Sequence, residues 1–203
     1  MMIIAIDGPS AAGKGTLAKR LATALCLPHL DTGLLYRATA KRVMESGANP
    51  ANETAALAAA LELSEADTAR HDLRDAITSL AASRVAAMPA VRTALLAYQR
   101  AYGNAKGAVL DGRDIGTVIF PHADVKLYIT ASPQARARRR HAEFMARGEV
   151  MTLEDVLRDL MARDEADKVN STPAADAILI DTTELSADDA FACALGAIKT
   201  KLT

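Results

Sequence analysis

The stretch Met2–Leu21, MIIAIDGPSAAGKGTLAKRL, constrains the fold more than any other part of the chain. An apolar run ending at Asp7 breaks into GPSAAGKGT and then acquires helical periodicity from Lys14. A strand, a glycine-rich turn and a helix in that order direct backbone N–H groups and a helix N-terminus at one point, which suits a phosphate. Gly8 and Gly13 give the turn its backbone freedom. Lys14 supplies a cation for the β and γ phosphates. Gly8, Pro9, Ser10, Ala11, Ala12, Gly13, Lys14, Gly15 and Thr16 are therefore the candidate ATP-phosphate cradle. The pattern G-x-x-x-x-G-K-S/T is met except at Gly15, and the hydroxyl arrives one residue late, at Thr16.

Four further apolar runs read as strands: Pro28–Asp31, Gly107–Asp111, Asp124–Thr130 and Ala177–Asp181. They lack strict alternation, as in a parallel sheet covered on both faces. Helical periodicity marks Lys14–Leu25, Thr93–Gly103, Pro133–Met145 and Leu153–Asp164. Strands alternating with helices predict an α/β three-layer fold with a five-stranded parallel sheet. Three strands end in aspartate (Asp7, Asp31, Asp111), at the edge where open α/β sheets bind ligands. The division expected is a single domain with core 1–44, 90–135 and 172–203, an alanine-rich helical insert at about 45–89, and an arginine-rich lid with its following helix at about 136–171.

A net charge of −1 argues against nucleic acid as the main partner. No apolar run reaches membrane-spanning length, and the apolar start lacks a basic n-region, so it reads as a strand and not a signal peptide. Cys26 and Cys193 read as reduced packing residues, consistent with a cytoplasmic protein. His29, His71, His122 and His141 have no metal-ligand spacing and read as surface or packing residues.

The remaining motifs are DTGLLYRA (31–38), SRVAAMPAVR (83–92), LDGRDIGTVIFPHADVKLYITAS (110–132) and RDEAD (163–167) with PAADAILIDTT (173–183). Together with G-x-x-x-x-G-K-G-T they resemble bacterial cytidylate kinase, of the nucleoside monophosphate kinase family, in order over nearly the whole chain. The resemblance implies transfer of the γ-phosphoryl of ATP to CMP or dCMP, with Mg²⁺ held mainly by the phosphates and water. That fits glycine at position 15, where many phosphate-loop proteins place a metal-binding hydroxyl. It implies small-molecule nucleotide partners, no nucleic acid, no membrane and a monomer.

Residue by residue, Lys14, Arg37, Arg113 and Arg163 are implied to carry catalysis, with Arg37 and Arg113 clamping the acceptor phosphate. One of Arg138, Arg139 and Arg140 is implied to reach ATP with the lid; Arg139 is the choice. CMP is assigned to Thr32, Arg37, Ser83, Arg92, Arg113, Asp114, Arg163 and Asp167. Chemically, Asp114 can accept from the cytosine N4 amino group while Ser83 and Arg92 donate to N3 and O2. Arg163 and Asp167, four apart on a helix, also invite an ion pair, and the resemblance adds a ribose contact to Asp167.

Two departures stand out. After Asp167 the resemblance calls for a further arginine and a longer Pro-containing stretch, where this chain has KVNSTPAAD with Lys168 and Asn170. The segment before Ser83 is short and leaves little room for a hairpin. A kinase for UMP, AMP or shikimate would keep the phosphate loop without Ser83, Arg92 and Asp114 together. A nucleotide switch is disfavoured by Gly15 and by the absence of N-K-x-D.

Overall fold

The computed structural model describes residues 1–202. The elements run β1 (Ile3–Asp7), α1 (Lys14–Ala24), β2 (His29–Asp31), α2 (Thr32–Glu45), α3 (Glu53–Leu61), α4 (Glu65–Thr68) and α5 (Ala76–Ala86). They continue with α6 (Pro89–Lys106), β3 (Ala108–Asp111), β4 (Val125–Thr130), α7 (Pro133–Ala146), α8 (Leu153–Asp167), β5 (Ile178–Asp181) and α9 (Ala187–Leu202). All five expected strands form, each one residue shorter at its start. Helix α6 begins at Pro89, four residues before the periodic stretch, because proline is pre-organised for the first helical turn.

The chain divides into two compact units, Met1–Leu30 with the chain from Tyr102 onward, and Asp31–Ala101. The sheet has strand order β2-β3-β1-β4-β5. Strand β1 pairs in parallel with β3 (Ile4 opposite Val109) and with β4 (Ile6 opposite Leu127), and β4 pairs with β5 in the same sense. Every residue of β1 is buried, which explains its lack of alternation. Ile4, Ile6, Val109, Leu127 and Ile129 pack with Leu17 and Leu21 of α1 and Ile198 of α9. Strand order reverses beside β1, so the turn after β1 opens at the crevice where such sheets take ligands.

Most helices of the molecule are closed by their own sequence. Ser132 caps α7 through the Ala135 N–H, with Pro133 next, and Thr152 caps α8 through the Asp155 N–H. Helix α1 differs: its N-cap is Gly13 at φ 89°, and no side chain caps it. The second unit packs α2 against α5 and α3 over small buried residues, Ala40, Ala56, Ala81 and Ala82, with Leu35, Leu73 and Val85 between them. It takes in α2 and most of α6 and so extends beyond residues 45–89 on both sides. No strand forms between β2 and Ser83.

One expectation needs correction. Cys26 and Cys193 are exposed, not packing residues. Cys26 follows the end of α1 at φ 53°, a left-handed conformation that closes the helix, and Cys193 lies on the outer face of α9. No single helix among the described residues is long and apolar enough to cross a membrane.

Candidate active site

In the first unit the loop after β1 is shaped by its glycines. At Gly8, φ is 143° and an added Cβ would lie 1.9 Å from the Ile129 carbonyl oxygen, so only glycine fits. Ala11 adopts φ 59° without being glycine, a strained turn residue at a candidate functional loop. Lys14 is buried and its Nζ donates to the Pro9 carbonyl at 2.7 Å, folding the ammonium back over the loop. The uncapped first turn of α1 and this lysine together form a site for an anion.

The segment after β3 lies against this loop. Asp7, 4% exposed, accepts from the N–H groups of Ile115 and Gly116, both at 2.7 Å. Burial raises its pKa to about 6; the two N–H donors pull it back, the Asp114 charge adds to the rise and Lys14 opposes it. Asp114 is buried and opens a π-helical turn, Ile115–Ile119, its carbonyl accepting from Val118 and Ile119. Such turns recur at functional sites. Arg113 donates from Nη1 to the Gly8 carbonyl at 3.0 Å and from Nε to Asp167 on α8 at 2.9 Å. Asp167 is thus paired across 54 positions and not along its own helix with Arg163.

That leaves Arg163 unusual. Its Nε is buried and has no hydrogen-bond partner. Burial, then the nearby Arg113 charge and more weakly Arg140, depress its guanidinium to about 10, with Asp167 and Asp164 only partly compensating. A cavity of about 340 Å³ is lined by Pro9, Arg113, Tyr128, Arg136, Asp164 and Asp167 among others.

The arginine run on α7 divides by helical phase. Arg136, which the sequence reading did not single out, is buried, grips Asp164 with both terminal nitrogens (2.6 and 3.1 Å), and donates to the carbonyls of Ser10 and Ala131. Arg138 is exposed. Arg139 donates to the Thr182 hydroxyl at 3.0 Å and to its carbonyl, and that hydroxyl donates in turn to the Ala12 carbonyl. Arg140 stacks on Phe144 and pairs with Glu143. Thr182 and Arg136 therefore touch the phosphate loop directly; the first lies within the PAADAILIDTT stretch and the second in the arginine run, but the sequence reading gives neither a role.

In the second unit, Thr32 is buried at the first position of α2. Arg37 donates to the Leu73 carbonyl and to the Ser79 hydroxyl. Ser83 lies one turn beyond Ser79 on α5 and donates to its carbonyl at 3.2 Å. Arg92 sits 5.9 Å from the centre of the Tyr36 ring and donates to the Ala86 carbonyl. Asp31 pairs with Arg74 at 2.6 Å. Ser79 and Tyr36 were not foreseen; the i, i+4 spacing of Ser79 and Ser83 was the available signal.

A phosphate loop ahead of an uncapped helix, with Arg113 and Arg136 donating to its carbonyls and the strand-end carboxylate Asp7 beneath it, defines a nucleotide-dependent phosphotransferase of the phosphate-loop class. The family model described as Cytidylate kinase matches residues 4–200. The cytidylate kinase of Acidiphilium cryptum is 52% identical over 197 residues, covering 95% of this chain and 93% of its own. That of Paramagnetospirillum magneticum is 50% identical over 207 residues, covering 98% of each. This chain belongs to the cytidylate kinase family. A crystal structure of an uncharacterized protein from Eubacterium ventriosum, 15% identical with a TM-score of 0.56 over 98% of this chain and 99% of its own, shares the fold.

Proposed function

We propose that this chain transfers the γ-phosphoryl group of ATP to CMP or dCMP, giving CDP or dCDP and ADP. Beyond family membership, the observation that carries the reading is the buried, unpartnered Nε of Arg163 among other guanidinium groups. Such an arrangement is unfavourable until an anion enters it.

The chemistry asks little of the protein covalently. A phosphate monoester has a second pKa near ~6, so the acceptor is largely dianionic at neutral pH and is its own nucleophile. One of its oxygens bonds to the γ-phosphorus as the bond to the β,γ-bridging oxygen breaks, and ADP leaves with that electron pair. No general base is needed, and Asp7, with both oxygens engaged by backbone N–H groups, is a structural anchor of the segment 112–116. The protein aligns two anions and disperses charge on the transferring group.

In this reading the loop Gly8–Thr16 and Lys14 bind the ATP phosphates, with Arg139 on the donor side. Arg37, Arg113 and Arg163 draw the acceptor phosphate into line. Asp114 reads the cytosine amino group, Ser83 and Arg92 read N3 and O2, and Thr32 and Asp167 complete the acceptor contacts. Uracil carries an oxygen at position 4 and would set it against Asp114.

Mg²⁺ accompanies ATP. Among the described residues no group of three or more His, Cys, Asp or Glu stands together as a metal site. The residues fit the ion: a Cβ built at Gly15 meets only the Asp111 Oδ2 atom, at 3.8 Å. A carboxylate thus overlooks the position where a metal-binding hydroxyl is missing, and oxygen is the donor Mg²⁺ prefers. Asp111 would hold the ion through its water.

The test is ADP release with each nucleoside monophosphate in turn, including deoxy forms. Release that requires CMP or dCMP supports the proposal; release with ATP alone, or with AMP or UMP in preference, refutes it. A monomer is expected by light scattering.

A further inference from the structure

We infer that His29 is a positioning residue whose imidazole aims Asp111 at the metal ion that accompanies ATP. The inference rests on the reading of Asp111 given above and extends it to a residue whose sequence context suggested only packing.

A carboxylate beside a metal–nucleotide site works through one oxygen in a defined plane. Asp111, at the carboxyl end of β3, is 5% exposed. The His29 Nε2–H donates to its Oδ1 at 2.7 Å, fixing the plane, while Oδ2 lies toward Gly15 at the first turn of α1. Oδ1 is thereby held by His29, and Oδ2 is the oxygen on the Gly15 side.

The backbone that carries the imidazole is anchored. The His29 carbonyl accepts from the Tyr102 hydroxyl at 2.9 Å, and the preceding Pro28 carbonyl accepts from the Val109 N–H at 2.9 Å, two residues before Asp111. The backbone that carries the donor is therefore held on the strand.

The other strand-end carboxylates are directed elsewhere. Asp7 faces the N–H groups of Ile115 and Gly116, and Asp31 faces Arg74. Neither is directed at residue 15. A purely structural tie between neighbouring strands would stabilise the fold but leave metal affinity unchanged, and that difference makes the inference testable.

The experiment compares H29Q, whose amide nitrogen reaches nearly as far as Nε2, with H29N, whose amide stops short. Mn²⁺ binding to the enzyme–ADP complex is followed by electron paramagnetic resonance, alongside thermal melting and KM for CMP. H29N is expected to weaken Mn²⁺ by ~10-fold, with H29Q close to wild type and KM for CMP little changed. Equal Mn²⁺ affinity in H29N and wild type overturns the role of His29, as does an H29Q variant impaired as far as H29N. D111N separates the two levels: if it weakens Mn²⁺ while H29N does not, only the role of His29 falls. If D111N also leaves Mn²⁺ affinity unchanged, the metal-side reading of Asp111 falls as well. Should H29N not fold, nitrogen-detected NMR of wild type decides. The His29 Nε2–H signal must move when Mg²⁺ joins the enzyme–ADP complex, and a signal that does not respond overturns the inference.

Discussion

Replacing Arg163 by methionine should stabilise the empty protein while disabling it. The guanidinium is depressed to about 10 by burial and by the charges of Arg113 and Arg140. For a base, a folded-state value below the unfolded one means that the charged form is disfavoured on folding at every pH below that value. The penalty is therefore fully present at neutral pH and disappears only in strong alkali. A depression of this size corresponds to ~3 kcal/mol. The side chain keeps some contact with solvent, so screening reduces this to roughly 1–2 kcal/mol. Methionine retains most of the apolar stem and leaves no Nε without a partner. In a chain of this length the gain should raise Tm by about 3–6 °C. Activity moves the other way, with kcat/KM for CMP falling at least ~10²-fold through loss of a charge-stabilising donor. Melting is measured by circular dichroism with and without ADP plus CMP. Nucleotides should raise the Tm of wild type well above their effect on R163M. An R163M protein that melts below wild type without nucleotides would refute the account of a site held in unfavourable charge until anions arrive.

Three further outcomes follow from the same geometry. G8A places a Cβ 1.9 Å from the Ile129 carbonyl at a φ of 143°, so ATP binding by calorimetry should be lost or the protein should fail to fold; normal binding would contradict the loop geometry. Asp7 has a raised pKa of about 6, so its penalty to stability is absent in acid and appears as pH rises through that value. Urea melts at pH 4.5 and 7.5 should show wild type losing roughly 1–2 kcal/mol relative to D7N between the two. A constant difference would show that Asp7 does not titrate in this way. D114A should lose discrimination between CMP and UMP by a factor of ~10 or more in kcat/KM; unchanged selectivity would remove Asp114 from base reading.

The sheet was legible because its strands are short and apolar on both faces, and because glycine and lysine at 13 and 14 fix a loop and a helix start. Partners between distant segments were not legible. Arg163 and Asp167 have the spacing of an intrahelical pair, yet Asp167 is taken by Arg113, 54 positions away. His29 looked like packing because Asp111 lies 82 positions off and meets it only through neighbouring strands. In RARRR the charge alone does not say which side chain points inward. The helical period separates Arg136, buried against Asp164, from Arg138, which is exposed. The cysteines were misjudged for the converse reason: alanine-rich surroundings suggest burial, whereas Ala22, Ala190 and Ala194 are buried while Cys26 and Cys193 are exposed beside Ala24 and Ala192.

A net charge of −1 hides a sharp local division of labour. Carboxylates nearest the phosphate loop are engaged by donors: Asp7 by backbone N–H groups, Asp164 by Arg136 and Asp111 by His29. The cations are treated differently. Lys14 donates to the Pro9 carbonyl, and Arg163 keeps a buried Nε without a hydrogen-bond partner. Carbonyl contacts to cations are weak enough to yield to phosphate oxygens, while the buried carboxylate bonds resist exchange because each would leave a desolvated charge behind. The asymmetry makes the empty site an anion receptor with its acids already restrained, so incoming nucleotides displace weak cation contacts without disturbing the carboxylates that shape the loop.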